Sequence, residues 1–371
     1  MKTFFNLIQE VQKPGLCHRC GGCVAFCTAI NFGALELDED GKPRYKDIEK
    51  CIECGICYEM CPEIETLEEE IRRRLAWSAP VGRVMETTVA RARDSKIREA
   101  ATDGGAVTAI LLNLLEMGRI DGAIVTKQTA LFKREPLLAN TREEIMESAG
   151  FHFDASHGMK LLSEKYSTFS PSILAFESMV KKGFHRVAFV GTPCQIEAVR
   201  KMESMGVVPA DSIKYHLGLF CTGNFVFDQL QQKKLEELLD FKWKNVRKIN
   251  VKEKLLIHLK NEEVKQIDLD QLDFMKRYAC QFCQDYAAEF ADISFGGIGA
   301  KEGWTTIITR TPLGKAVFAD AREKTLEVLT YKEDPKFATQ ALNKVITASA
   351  KKKKSARAKR ATLRKSVSVT K

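Results

Sequence analysis

The sequence predicts two folded units, a small α+β unit at the N-terminus and a larger α/β body in which helices flank a mixed sheet. Two cysteine runs lie within the first 61 residues. In the rest of the chain, short apolar strand patterns alternate with helical patterns. A length of 371 residues also exceeds one ordinary domain. We expect the small unit over residues 1–76, the body over 77–345 and a basic tail over 346–371.

Eight N-terminal cysteines form two runs with the spacing C-x2-C-x2-C-x3-C, and Pro62 follows the second run. This spacing is typical of a bacterial-type ferredoxin with two [4Fe–4S] clusters, in which the fourth cysteine of each run ligates the other cluster. The predicted ligands are therefore Cys17, Cys20, Cys23 and Cys61 for one cluster, and Cys51, Cys54, Cys57 and Cys27 for the other. A zinc module and a disulfide framework are the weaker interpretations, because zinc usually takes separated C-x2-C pairs and disulfides suit small secreted domains.

The first predicted elements after the cysteine runs are two helices and a strand. Glu63–Leu75 has acidic residues early and arginines late, which suits a helix that closes the small unit. Residues 79–82 form the linker. A strongly apolar helix follows over Ala106–Met117, with Asp103 as a candidate cap and Gly118 at its end. The segment Ile120–Thr126 is expected to be a buried strand.

The remaining elements alternate between strands and helices. The expected strands are Val187–Val190, His216–Phe220, Ala291–Gly296 and Thr305–Thr309, and the expected helices are Gln195–Met205 and Leu313–Glu323. Alternating apolar residues over Lys248–Leu269 predict a β-hairpin. These elements together indicate an α/β body.

The net charge of +9 comes from the tail. The last 21 residues carry all of the excess, since they hold ten Lys or Arg and no acid. Without apolar periodicity, this tail is predicted to be disordered. The first interpretation is a solvated tail. Docking to an acidic partner or an anionic membrane surface is the second, and binding of nucleic acid is the weakest of the three.

Neither a membrane span nor a signal peptide is predicted. The longest apolar stretch, Ala106–Leu115, is too short to span a bilayer, and Gln9 and Glu10 interrupt the N-terminal segment. A cytoplasmic location is expected, and the alternative is a location at the membrane surface, with contact through the tail. In that compartment 12 cysteines indicate metal or redox chemistry.

Four further cysteines lie in the body: Cys194, Cys221, Cys280 and Cys283. Cys194 stands between a predicted strand and helix, Cys221 ends a strand, and the last two form a C-x2-C pair. Because neighbouring strand ends converge at one edge of an α/β sheet, the four thiols are candidates for a third [4Fe–4S] cluster. Small buried hydrophobes, or a Cys194 nucleophile activated by the helix N-terminus, remain alternatives.

Several body segments resemble the family of coenzyme F420 hydrogenase/dehydrogenase beta subunits. They are GTPCQ at Cys194, GLFC at Cys221, CQFCQDYAAEFADISFGGIG from Cys280, GWTTIITRT from Gly303, and TDGGAVTAILLNLLEMGRIDGAIV from Thr102. The resemblance extends from Cys17 to about Phe318. It implies FAD, a coenzyme F420 pocket, and a [4Fe–4S] cluster held by the four body cysteines.

Candidate flavin contacts fall in three segments. Asp103, Gly104, Gly105 and Thr108 form a turn before a helix, which suits a phosphate, although a plain structural turn explains the glycines too. Gly296, Gly297, Gly299, Gly303 and Trp304 either wrap the flavin or form a loop at a strand end. Lys165 and Tyr166 match a pair in the family. Lys165 and Arg98 are candidates for an anionic tail or phosphate, or are solvated.

The expected function is oxidation of reduced F420 by hydride transfer to FAD, followed by single-electron transfer through the clusters to a partner redox complex. The partner is expected to be a membrane dehydrogenase or a heterodisulfide reductase-type assembly, and no nucleic acid is expected. Two alternatives stay open. One is a ferredoxin-linked flavin reductase that does not use F420, and the other is a non-catalytic electron-relay subunit.

Overall fold

The computed structural model describes residues 1–29, 32–130, 133–150, 184–207, 210–226, 228–330, 332 and 334–369. The N-terminal unit contains helices α1 (Phe4–Leu7), α2 (Gly22–Ala29) and α3 (Ile56–Glu59), and a hairpin of β1 (Leu35–Leu37) and β2 (Pro43–Tyr45). Helix α4 (Glu68–Arg74) follows them. It begins later than the predicted Glu63, because turns occupy residues 62–67.

An eight-stranded mixed sheet forms the centre of the body. In spatial order its strands are β13 (Leu326–Val328), β3 (Glu86–Ala92), β12 (Thr305–Thr309), β11 (Ile293–Gly296), β7 (Ile213–Leu219), β6 (Val187–Gly191), β4 (Gly122–Ala130) and β5 (Lys133–Ala139). Strands β11, β7, β6 and β4 are parallel, and the outer pairs are antiparallel. The carboxyl ends of the four parallel strands therefore meet at one edge, where such sheets bind ligands.

Helices cover both faces of this sheet. The described helices of the body are α5 (Ser95–Ala100), α6 (Ala106–Glu116), α7 (Arg142–Glu147), α8 (Pro193–Ser204), α9 (Gln229–Leu239), α10 (Pro312–Lys324) and α11 (Phe337–Val369). Helices α6 and α10 share one apolar core with the sheet. Helix α8 shares a second core with both the sheet and the N-terminal unit, so that unit is packed directly against the body.

The segment predicted as one hairpin is larger than expected. Strands β8 (Val246–Val251), β9 (Lys254–Leu259) and β10 (Val264–Asp268) form a separate three-stranded antiparallel sheet with its own apolar core. The prediction of a single hairpin is wrong in this respect. The alternation of apolar residues continues through two tight turns. The length of the pattern therefore did not indicate whether two or three strands contain it.

The prediction of a disordered tail is also wrong for the described residues. Helix α11 runs without a break into the basic segment and ends at Val369. Ser349 and Ala356 are buried against the body. The helix is stabilised by contacts to residues far away in the sequence, which a local charge pattern does not indicate. Among the described residues, no helix is both long and apolar enough to cross a bilayer.

The other predicted elements agree with the structure to within a few residues. Strand β12 has the predicted bounds, and α6, α8 and α10 lie where helices were expected. Gly105, in a left-handed conformation, occupies the N-cap of α6 in place of the predicted Asp103. The two edge strands β5 and β13, and the strand β3 beside β13, were not predicted.

Candidate functional site

Four cysteines of the N-terminal unit surround one small cavity of about 30 Å³: Cys17, Cys20, Cys23 and Cys61. Burial raises the pKa of Cys23 well above its usual value, and the charges of Cys20, Cys17 and Cys61 raise it further. The backbone N–H of Gly22 donates to the sulfur of Cys20. The fourth member of this set comes from the second sequence run, as the ferredoxin spacing predicts.

The other four cysteines of this unit surround a second cavity of about 20 Å³: Cys27, Cys51, Cys54 and Cys57. Burial, followed by the charges of Cys54, Cys27 and Cys51, raises the pKa of Cys57 to about 12. Backbone N–H groups of Ala34 and Leu35 donate to the sulfur of Cys27. The crossed grouping of the two runs is thus reproduced in space.

The chemistry of these two sets fits [4Fe–4S] clusters. Each offers four thiols around a small enclosed space, together with backbone amides that donate to sulfur, and such hydrogen bonds are among the factors that tune iron–sulfur sites. Within the described ranges no three His, Cys, Asp or Glu side chains converge as they would around a single metal ion. A cluster needs wider spacing, because its iron and sulfide atoms lie between the protein ligands.

The four body cysteines also come together. Cys194 lies in the first turn of α8, Cys221 follows β7, and Cys280 and Cys283 lie in or beside the 3₁₀ turn Tyr278–Gln281. The pKa of Cys194 is raised well above its usual value by burial and by the charges of Cys20, Cys283 and Cys221. The pKa of Cys283 rises to about 12, with burial the largest cause and Cys221 and Cys280 contributing.

The surroundings of Cys194 do not favour an activated nucleophile. Its hydroxyl neighbour Thr192 lies 3.4 Å from the sulfur and also caps α8, but burial outweighs this stabilisation and raises the pKa of the thiol. A reactive cysteine instead needs a lowered pKa. The backbone N–H of Asn224 donates to the sulfur of Cys280 at 3.3 Å. A set of four thiols with an N–H donor is suited to holding a third cluster. This interpretation explains the arrangement better than the alternative that the four cysteines are only buried apolar side chains.

Helix α8 connects the third cysteine set to the N-terminal unit. The buried Lys201 ammonium donates to the carbonyl oxygens of Cys61 at 2.9 Å and Ile64 at 2.6 Å. The Arg277 guanidinium donates to the carbonyl oxygen of His18 at 2.9 Å. Both contacts hold the first cysteine set of the N-terminal unit against the body.

A cavity of about 250 Å³ opens at the carboxyl edge of the four parallel strands. Each of the four parallel strands and the first turns of α6 contribute to its lining. The strand residues are Val125 on β4, Val190 on β6, Leu219 at the end of β7 and Phe295 on β11. Cys221 also lines it, so the cavity adjoins the third cysteine set. Apolar walls with a few polar groups are typical of cofactor sites.

The predicted flavin contacts divide between this cavity and other places. Asp103, Gly105, Thr108, Gly296 and Gly297 line the cavity. Gly104 lies behind it, and its amide donates to the Thr305 hydroxyl at 3.0 Å. A Cβ at position 296 would lie 2.1 Å from the ring of Phe220, so packing within the protein already requires this glycine.

Four other candidates lie away from the cavity. The Arg98 guanidinium donates to the carbonyl oxygens of Ala92 and Arg93 at 2.7 and 2.6 Å. Trp304 is buried against Phe337 of α11, and Gly299 and Gly303 belong to the loop that leads to it. Their arrangement is that of a structural loop. Lys165 and Tyr166 lie outside the described residues.

Two cavity residues that sequence reasoning missed come from the three-stranded sheet. The Asn250 amide donates to the Asp103 carboxylate at 2.9 Å, and the Lys252 ammonium lies 3.3 Å from it. Lys248 is near the same carboxylate, and burial lowers its pKa. The polar residues in and after β8 were visible in the sequence, but nothing in their pattern placed Asn250 or Lys252 beside the turn at residues 103–105.

Three family models match successive parts of the chain. Residues 9–62 match a 4Fe-4S dicluster domain. Residues 87–163 and 184–334 match the N-terminal and C-terminal parts of the coenzyme F420 hydrogenase/dehydrogenase beta subunit. The matched parts correspond to the N-terminal cysteine unit and to the body with the cavity.

Curated relatives agree with these matches. The chain is 34% identical to the beta subunit of the coenzyme F420 hydrogenase of Methanothermobacter thermautotrophicus, over 66% of this chain and 83% of that one. It is 27% identical to one subunit of the F(420)H(2) dehydrogenase of Methanosarcina mazei, over 91% and 90%. It is 30% identical to the coenzyme F420-dependent sulfite reductase of Methanocaldococcus jannaschii over 84% of this chain, but it spans only 46% of that relative.

A solved structure shows the same fold. A chain of the F420-reducing [NiFe] hydrogenase complex from Methanosarcina barkeri superposes with a TM-score of 0.63 and is 26% identical to this chain. The match covers 76% of this chain and 93% of that one.

Proposed function

The chain belongs to the family of coenzyme F420 hydrogenase/dehydrogenase beta subunits, and from that premise we propose that it oxidises reduced coenzyme F420 and passes electrons to a partner complex. The sheet-edge cavity would hold FAD with F420 beside it, and the three cysteine sets would each hold a [4Fe–4S] cluster. When bound, these groups convert a two-electron hydride donor into a supply of single electrons. The observation that carries the proposal is the spatial order of the four sites.

One shared residue and two electrostatic interactions between thiols support that order. Cys221 belongs to the third cysteine set and also lines the cavity. The charge of Cys20 in the first set acts on Cys194 in the third. The charge of Cys57 in the second set acts on Cys23 in the first. Electrons that enter at the cavity would therefore pass the third, first and second sets in turn.

The residues of the cavity suit an FAD. The N-terminus of α6, an 11-residue helix, presents backbone N–H groups to the cavity beside Thr108, which favours a phosphate. Gly297 lets the backbone lie against Asp103, since a Cβ there would come within 2.5 Å of that carboxylate. Phe220 and Tyr286 line the cavity together with Cys221 and would exclude water from that side. A relay-only subunit would not need such a cavity.

The charges beside the cavity favour an anionic substrate. Lys252 lines the cavity. Arg247 and Lys248 lie near it on the three-stranded sheet and add two further positive charges. The polyglutamyl tail of F420 is anionic and would interact favourably with these cations. This feature favours F420 over a flavin reductase that takes electrons from a ferredoxin.

The second cysteine set is the proposed exit. Ile48 and Ile52, beside Cys51, are 60% and 61% exposed. Exposed apolar side chains mark protein contact sites when they cluster. Other subunits of a redox complex, either a membrane dehydrogenase or a heterodisulfide reductase-type assembly, would contact this end of the N-terminal unit.

The experiment uses the iron-replete full-length protein under anaerobic conditions. We expect one flavin and about twelve irons per chain, four for each cysteine set, and bleaching of the flavin and cluster absorbance when reduced F420 is added. Full iron content without flavin would favour the electron-relay alternative. Flavin that dithionite reduces and reduced F420 does not would favour another donor.

A further inference from the structure

Helix α11 lies beyond the last family-matched residue, and its basic residues contact three separate parts of the molecule. Lys344 pairs with Glu253 of the three-stranded sheet. Lys353 pairs with the buried Glu289 of the body. One guanidinium nitrogen of Arg360 donates to both carboxylate oxygens of Glu63 of the N-terminal unit, at 3.0 and 2.9 Å. The basic segment is therefore an internal part of the structure.

Lys352 occupies a special place on this helix. Its ammonium donates to the carbonyl oxygens of Cys221 at 2.7 Å and of Asp285 at 2.8 Å. Cys221 belongs to the third cysteine set, and Asp285 follows Cys283 of the same set by two residues. Two short hydrogen bonds to main-chain atoms fix the ammonium beside the segments that carry these thiols.

The Lys352 ammonium is partly buried between these two segments. Solvent therefore screens its positive charge less than it screens the charge of a fully exposed lysine.

We propose that Lys352 is a positioning residue for the third cluster, and that its fixed positive charge raises the reduction potential of that cluster. Reduction adds one electron, and a nearby, partly buried cation stabilises the added negative charge. The electron would come from a bound flavin, and the Lys352 ammonium would stay protonated. A higher potential makes the third cluster a better acceptor for the first of the two electrons that the flavin releases.

This inference rests on the proposed function, because it requires a third cluster. The test is an anaerobic redox titration of the full-length, iron-replete protein followed by electron paramagnetic resonance. The signal of the third cluster is the one that Cys283→Ala removes. Lys352→Met removes the charge and Lys352→Arg keeps it. The matched control is Lys351→Met, which removes the neighbouring lysine, whose exposed ion pair is with Asp270.

We expect Lys352→Met to make reduction of the third cluster at least tenfold less favourable, a shift of about 59 mV for one electron. Lys352→Arg and Lys351→Met should shift the same equilibrium by less than about threefold, which is roughly half that potential change. An unchanged potential in Lys352→Met, or an equal shift in Lys352→Arg, would overturn the inference.

Two further outcomes are also decisive. If Lys352→Met no longer retains the third cluster, Lys352→Arg decides: a cluster at the wild-type potential supports the role of charge, and loss of the cluster overturns it. If Cys283→Ala removes no signal from the wild-type spectrum, the third cluster itself is absent. That result contradicts the proposed function, whereas an unmoved potential contradicts only the role of Lys352.

Discussion

Cys20 of the N-terminal unit lies near enough to Cys194 of the body for its negative charge to raise the pKa of the Cys194 thiol. Helix α8 creates this approach, because it begins beside Cys194 and packs against the N-terminal unit. A Cβ at Gly22 would lie only 3.2 Å from the Cβ of Ala198, one turn along α8. The two proposed cluster sites therefore adjoin across a tightly packed interface.

Enlarging Ala198 should separate these two sites. We expect Ala198→Leu to lower stability by about 1–3 kcal/mol, because it overpacks the contact with Gly22. It should also slow electron transfer from the body to the N-terminal clusters, which is measured by rapid mixing with reduced F420. Ala198→Ser, with almost the same volume, is the control. Equal transfer rates in both variants would show that this contact does not set the spacing.

Removing the Lys201 ammonium should loosen the same interface. Lys201→Met would leave the carbonyl oxygens of Cys61 and Ile64 without this donor, and the Glu197 carboxylate without its partner at 3.2 Å. Breaking such a buried pair costs about 3–5 kcal/mol. The measurement is the apparent Tm of the iron-replete protein.

The control for Lys201 is Arg74→Met, which removes a more exposed ion pair to Glu203 across the same interface. Exposed pairs of this kind contribute about 0–1 kcal/mol. We therefore expect a clearly smaller decrease in Tm. Decreases of the same size in the two variants would contradict the assigned role of Lys201.

Loss of one body cysteine should remove one cluster and leave two. We expect Cys283→Ala to contain about eight irons per chain instead of about twelve, because the first and second cysteine sets are separate from it. Gln284→Ala, which changes the adjacent residue, is the control. Iron and flavin are assayed chemically on the same sample. Unchanged iron in Cys283→Ala would contradict the third set.

The affinity for F420 should depend on the charge of Lys248. Burial lowers the pKa of this lysine, so its positive charge is lost at a lower pH than that of an ordinary lysine. Binding of the anionic tail should therefore weaken as the pH rises toward that lowered pKa. Lys248→Arg should remove this dependence, since guanidinium stays charged. Lys248→Met should weaken binding about tenfold at neutral pH, equal to about 1.4 kcal/mol.

The measurement for Lys248 is the Kd of oxidised F420, followed by its fluorescence between neutral and alkaline pH. Lys244→Met, at an exposed position just before β8, is the control. A pH profile that is the same for the wild type and Lys248→Arg would contradict the role of Lys248.

The N-terminal unit was the most predictable part of the chain. Cysteine spacing determines which thiols share a cluster, because a short turn brings the three nearest sulfurs together and the fourth crosses over. The prediction that Cys61 joins Cys17, and that Cys27 joins Cys51, agrees with the two cavities. The body cysteines, such as Cys194 and Cys221, are separated by long segments. Their grouping was predicted from the convergence of parallel strands and from the family resemblance.

Contacts between distant segments explain the failures. The basic tail was predicted to be disordered because its charges have no partners nearby in the sequence, whereas Glu63 and Glu289 are brought to it by the fold. Trp304 was predicted as a cofactor contact; it does not line the cavity, and the cations of Arg91 and Lys301 lie over its ring at 4.6 and 4.7 Å. Local patterns contain no information about such pairings.

Rapid mixing with reduced F420 followed by freeze-quench spectroscopy resolves the order in which the flavin and the clusters are reduced. In the wild type we expect the flavin to bleach first, with reduction of the third cluster next and of the N-terminal clusters last. In Cys283→Ala the flavin should bleach at the wild-type rate while the N-terminal clusters stay oxidised over the same interval. Reduction of the N-terminal clusters at the wild-type rate in Cys283→Ala would contradict the account.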